Sequence, residues 1–309
     1  MDSKVTSILK RIDKLNIWDR ACASQFAIEL KGCALPYFAI AQYTPDHLLV
    51  RAHILFLEGW QSFQSYNIWR EDSSFGFITT PMELPGLDVL LLNDGTSTVM
   101  RNRPGCQPLI NEPEQIKKAE KLLWQVYGLY LRLEEDEKLP YKYVDDGAML
   151  VMRENTARKF DELPLPVMPP LPHKETISFS GEEIKKAKDL PIKKEETWII
   201  SFEPNVARVT RDPLQRFAYE LKIFRKVDNS RIVSQAVSIR PPEFMLRDLY
   251  ESFPPRVLKA FLDAAYVPGE IEVHNKRTFR LLRILAMELP FKLHFINPPP
   301  GQDHMPATE

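Results

Sequence analysis

No apolar run in this chain reaches the ~18 residues that a membrane-spanning helix needs. The amino-terminal stretch MDSKVTSILKRIDKLNIWDR has an amphipathic helical pattern and lacks the apolar core of a signal peptide. A cytoplasmic protein with no membrane partner is the expectation. Cysteine is scarce: Cys22, Cys33 and Cys106 are odd in number and match no CxxC spacing, so they read as buried or incidental thiols. An excess of one charge is lacking too, with 41 basic residues against 42 acidic. From Thr197 onward 16 basic residues face 13 acidic ones, too small a surplus for charge alone to argue for nucleic acid. His47 and His53 stand six apart with no cysteine or HxxxH partner. Asp145 and Asp146, and the run Glu134 to Glu137, have no further ligand at a diagnostic spacing and read as solvated surface. No motif fixes a reaction, so the sequence predicts no metal, no cofactor and no catalytic residue.

Proline is what the chain has in excess. Of its 26 prolines, five fall in LPLPVMPPLP, Leu163 to Pro172. Each lacks an N–H and biases its predecessor towards extended backbone. The sequence therefore predicts a linker over 162–196, rich in proline and then in charge, between a domain at 1–161 and one at 197–297, with a disordered tail at 298–309. Within the linker, Ser180 and Glu183 have capping-box spacing, and GEEIKKAKDL can form a short helix that Pro191 stops.

The fold class expected is α+β in both domains. Val5, Ile8, Leu9, Ile12 and Leu15 repeat at helical spacing, and a second helix is expected through Cys22, Phe26, Ala27 and Leu30. Leu35 to Gln42 reads as a strand. Phe56, Trp60, Phe63 and Tyr66 form a helical stripe facing the core. Strands are expected at Phe75 to Thr80 and Leu87 to Asn93. A long helix begins near 112, where Pro113 suits a first turn, and runs to an acidic end at 134–137. That end places like charge on the negative end of the helix dipole. Strands at Tyr141 to Val144 and Ala148 to Met152 complete the domain.

In the second domain, Thr197 to Glu203, Val206 to Thr210, Phe217 to Val227 and Arg231 to Arg240 read as strands, the last two joined by a hairpin at Asp228 to Ser230. Helices follow at Pro242 to Ser252 and Pro255 to Ala265, then a strand at Ile271 to His274, a helix at Lys276 to Leu289 and a strand at Phe291 to Ile296. The βαβ crossover makes the last two strands parallel, so the sheet is mixed.

Three antiparallel strands before an αβαβ tail resemble the ribonuclease H-like fold. PGEIEVHNKRTF, Pro268 to Phe279, is similar to the stretch in integrase and transposase cores where a short strand ends in Asp-Asn-Gly before a helix. Here His274, Asn275 and Lys276 stand at those positions, and NPPPGQDHMPATE after Ile296 cannot form the helix that carries the family's final carboxylate. The resemblance thus implies the fold without the two-metal activity. A second resemblance covers most of the chain. P-x-E-I-x-V at Pro268 to Val273, and the stretch from Arg103, Pro104 and Gly105 through Pro108 and Glu112, resemble a bacterial two-domain family of unknown function. That resemblance implies a bacterial cytoplasmic protein and transfers no functional residues.

Lys276, Arg280 and Arg283, at i, i+4 and i+7 with Arg277 alongside, form a cationic stripe on one helix. Three readings remain open. The first is a non-catalytic protein that binds a partner of unspecified kind, a protein among the candidates, through its domain surfaces. The second is a degenerate ribonuclease H-like module that holds nucleic acid through Lys276, Arg277, Arg280 and Arg283. The third is a metal-dependent hydrolase using Glu203, Glu272 and His274.

Overall fold

The computed structural model describes residues 3–15, 26–42, 50–71, 84–157, 159–169, 177–209, 215–238 and 246–296. It divides into two compact units, Met1–Pro172 and His173–Glu309. Both are α+β. Among the described residues no helix is long and apolar enough to cross a membrane.

The first unit opens with α1 (Ser3–Lys14), whose Val5, Ile8, Leu9 and Ile12 are buried as their spacing requires. Then come β1 (Phe26–Glu29), β2 (Tyr37–Gln42), β3 (Val50–Glu58), α2 (Gly59–Glu71), β4 (Gly86–Leu92), β5 (Ser97–Arg103), β6 (Cys106–Ile110), α3 (Pro113–Leu133), β7 (Ala148–Glu154) and β8 (Phe160–Pro166). The strands form one sheet in the order β6-β5-β4-β3-β2-β1-β7-β8, antiparallel except for the parallel pair β1 and β7. One face packs under α1 and α3, with Phe26, Ile28, Phe56, Leu122 and Val126 in its core. The other face, with Phe38, Leu55, Leu57 and Val151, packs under α2 through Phe63.

Several sequence expectations change here. The second amino-terminal helix is absent at its carboxyl end, because Phe26–Glu29 is a central strand. A strand covered on both faces buries consecutive residues and shows no alternation, as Phe26, Ala27 and Ile28 do. Phe56 belongs to β3 while Trp60, Phe63 and Tyr66 belong to α2, so the aromatic stripe spans two elements. Phe38 still stacks on Phe63 at 4.4 Å between ring centroids. In place of a strand at Tyr141 to Val144 there is a 3-10 turn at Leu139–Tyr141 and further turns. The strand expected at Phe75 to Thr80 lies outside the described residues, as does the tail at 298–309.

The expected linker is structured at both ends. Phe160–Pro166 is an edge strand paired with β7. Edge strands tolerate proline where the missing N–H would have pointed away from the neighbour, and Pro164 and Pro166 occupy one such alternate set while Leu163 and Leu165 occupy the other. The charged part belongs to the second unit. It holds α4 (Gly181–Lys188), whose Ser180 cap accepts from the Glu183 amide and whose Ala187 is buried, and the start of β9 (Ile192–Val209).

The second unit continues with β10 (Phe217–Arg225), β11 (Arg231–Ser238), α5 (Leu246–Glu251), α6 (Phe253–Ala264), β12 (Val267–Val273), α7 (Lys276–Glu288) and β13 (Lys292–Phe295). The two strands expected between Thr197 and Thr210 are one continuous strand. The sheet order is β11-β10-β9-β12-β13, with antiparallel pairing in the β9-β10-β11 part and parallel pairing of β12 with both β9 and β13. It is therefore a mixed sheet of hairpins followed by α, β, α, β. Trp198, Ile200 and Phe202 alternate into a core closed by Phe253, Phe261, Leu282 and Leu285. Gly269 lets β12 lie close to β9, since a Cβ there would stand 2.4 Å from the Lys194 carbonyl oxygen.

Candidate functional site

Strand alternation decides which polar groups can meet in the second unit. With Trp198, Ile200 and Phe202 in the helix-covered core, Ser201 and Glu203 project from the opposite face of β9. Ile271 and Val273 are buried likewise, so Glu270, Glu272 and His274 share that opposite face. Among the described residues the packed helices lie on the core side, and the other face carries these polar groups beside the pair Ile199 and Phe224.

Glu203 and Glu272 do not converge. Glu272 is in register with Ile199, four residues from Glu203, so the two are ~13 Å apart along the sheet at ~3.3 Å per residue. Two metal ions bridged by shared carboxylates stand only ~4 Å apart. Glu272 is engaged instead by Lys226, whose Nζ lies 2.6 Å from Oε1. His274 Nδ1 lies 3.2 Å from the Ile296 carbonyl oxygen. Glu203 does face a carboxylate, that of Glu220 directly opposite on β10. Glu220 in turn accepts from Asn205 Nδ2 at 2.8 Å and pairs with Lys222 at 3.0 Å. Glu220 carries no motif in the sequence, and only the hairpin register brings it to Glu203. Among the described residues no group of three or more His, Cys, Asp or Glu side chains is placed to hold a metal ion.

The cationic stripe on α7 divides. Asn275 caps the helix, its Oδ1 accepting from the amides of Arg277 and Thr278, and Lys276 opens it. Arg280 and Arg283 are exposed on one face. Arg277 turns away from them: its guanidinium lies 4.5 Å from the Tyr250 ring centroid and donates to the Tyr250 hydroxyl. It packs with α5, an arrangement that spacing along a single helix does not reveal.

The first unit contains a buried polar chain that the sequence did not signal. Asp88 Oδ1 lies 2.8 Å from His53 Nε2, and Oδ2 accepts from Asn102 Nδ2 at 2.7 Å. Asp88 is 3% exposed and Asn102 1%. Since a carboxylate only accepts, Nε2 carries the hydrogen, and a neutral imidazole then keeps its lone pair on Nδ1. At the other face of the same sheet, Tyr37 donates to Glu58, which also pairs with Arg101. Burial, followed by the Glu58 charge, pushes the Tyr37 hydroxyl well above the usual tyrosine range.

Comparison of the chain with protein-family models, with curated proteins and with solved structures finds no match in any of the three.

Proposed function

We propose that this chain is a cytoplasmic binding protein without a hydrolytic centre, whose second unit uses a ribonuclease H-like sheet as a scaffold for a protein partner. The observation that carries the reading is the Lys226–Glu272 pair. A two-metal hydrolase needs its strand carboxylates free and converging, whereas Glu272 is occupied by an ammonium at 2.6 Å and is separated from Glu203 by four positions of register. The test is incubation with single- and double-stranded nucleic acid plus magnesium or manganese, beside the Glu203→Gln and Glu272→Gln variants. No cleavage by the wild type supports the reading. Cleavage that both variants lose overturns it in favour of the hydrolase.

A second reading, nucleic-acid binding, is favoured by the exposure of Arg280 and Arg283 on one face of α7. Fluorescence titration with oligonucleotides at two salt concentrations separates it from the first, because phosphate contacts release counterions and weaken steeply with salt. Salt-sensitive binding that Arg280→Glu together with Arg283→Glu abolishes would support the second reading. Its absence supports the first.

A further inference from the structure

The helix α3 buries Ala119, Leu122, Leu123, Val126, Leu129, Tyr130 and Leu133 in the first unit. Its outward side carries two large apolar side chains among charged ones. Lys117, Lys121, Trp124, Gly128, Leu131 and Glu135 follow one another at spacings of 4, 3, 4, 3 and 4, the seam period of two helices packed along each other. Trp124 is 41% exposed and Leu131 38% exposed, although Arg11 of α1 lies 5.7 Å from the Trp124 ring centroid and covers part of it. Between Trp124 and Leu131, Gly128 leaves a notch among the described residues, none of which has an atom within 4 Å of a Cβ built there. Glycine in a helix interior is otherwise unfavourable relative to alanine, and packing among the described residues gives no reason for it. The Glu135 and Asp136 amides both bond back to the Arg132 carbonyl oxygen, which carries the helical direction about one turn beyond Leu133.

The charges along the seam say what fits it. The amino-terminal part is basic and the carboxyl-terminal part acidic, an order that opposes the helix dipole. A second copy of the same helix, laid antiparallel about a two-fold axis at Gly128, reverses that defect. Lys121, seven residues before Gly128, then lies against Glu135, seven residues after it, and Trp124, four before, lies next to Leu131, three after and one position off direct register. Each acidic end also approaches the positive end of the partner helix. Parallel alignment would set lysine against lysine and glutamate against glutamate. The Lys121 ammonium is already fixed by Glu154 at 2.8 Å and is still 51% exposed, so it is placed for an acid arriving from outside. The contact is isologous, the same patch on both copies, as a two-fold dimer requires.

We infer that two copies of this chain associate through α3, antiparallel, with the Gly128 notches facing each other. A 21-residue helix is ~31 Å long, so the footprint is at the small end for specific interfaces and the dimer is concentration-dependent. Sedimentation velocity of the full chain from about 1 to about 100 μM, at low and high salt, reads the association. The expected result is a monomer–dimer equilibrium that high salt shifts towards monomer. Gly128→Arg should be monomeric throughout with an unchanged or raised thermal midpoint, because the described residues leave room for the side chain and the interface does not. Under mild oxidation Gly128→Cys should give an interchain disulfide that the wild type does not form. Lys117→Cys should not, because antiparallel pairing holds its two copies ~33 Å apart. A wild type that stays monomeric at every concentration, a dimer that persists in Gly128→Arg, or a self-crosslink through Lys117→Cys would each overturn the inference.

Discussion

Asp88 and His53 lie on neighbouring strands with Oδ1 and Nε2 2.8 Å apart, and the carboxylate is all but sealed from solvent. The second oxygen of Asp88 holds Asn102, so one buried group satisfies two others. Asp88→Ala takes that partner from both and should destabilise the first unit by about 3 kcal/mol. His53→Ala takes one of the two partners from the carboxylate, leaves Asn102 in place and should cost less, about 1–2 kcal/mol. Urea unfolding followed by tryptophan fluorescence checks the order; equal effects would show that Asp88 is not the hub.

Two glycines sit where strands approach more closely than a side chain allows. A Cβ on Gly86 would stand 2.4 Å from the Phe56 carbonyl oxygen, and one on Gly269 2.4 Å from that of Lys194. Both obstacles are backbone, so neither can swing away. Gly86→Ala and Gly269→Ala should each lower stability by about 2–3 kcal/mol, the first in the amino-terminal unit and the second in the carboxyl-terminal unit. Hydrogen exchange resolved by segment tells the two units apart, and a loss of protection in the wrong unit would contradict the assignment.

What could be read in advance follows from how each signal is written in the chain. The helix Pro113–Leu133 was legible because its apolar period is long and Pro113 sits where a first turn tolerates it. The parallel ending of the second sheet was legible because a strand, helix and strand in that order must cross over. Phe26–Glu29 carries no strand signature because a strand buried on both faces has no period of two to display. The strands Ser97–Arg103 and Cys106–Ile110 went unnoticed for the opposite reason: STVMRNR is too polar to stand out, and its Asn102 is buried by pairing with Asp88. His53, Asp88 and Asn102 come from three strands, the first two 35 positions apart and the last two 14. Only the sheet register brings them together.

Acid should weaken the first unit through Glu162. A hydrogen bond from Arg132, helped by Lys142 at 3.6 Å, holds its carboxyl below the usual glutamate range. A depressed folded-state pKa contributes stability that is present above the unfolded value, near ~4.3, and is lost as pH falls through the folded value. Glu162→Gln removes that contribution at neutral pH. Unfolding free energies measured from pH 7 to about pH 3 should therefore show wild type and variant converging as pH falls below ~4.3. A gap that stays constant across the range would mean the pair adds nothing.

The proline-rich strand makes the sharpest test of register. Leu163, Leu165 and Val167 alternate with Pro164 and Pro166 along β8, and the Val167 amide bonds to the Gly147 carbonyl oxygen. Because antiparallel hydrogen bonds repeat every second residue, the odd-numbered amides face β7 and the two prolines occupy positions whose N–H would point outward. Replacing Pro164 or Pro166 with alanine restores an N–H with no neighbour to bond, so stability should change by less than about 1 kcal/mol, mainly through the unfolded chain. Leu163→Pro or Leu165→Pro instead removes a bond to β7 and a side chain packed beside Val151 and Met149, and should cost about 3 kcal/mol or more. Amide exchange at Leu163 and Leu165 in the wild type should be slowed by the same bonds. Fast exchange there, or equal tolerance of proline at odd and even positions, would show that the stretch does not pair with β7.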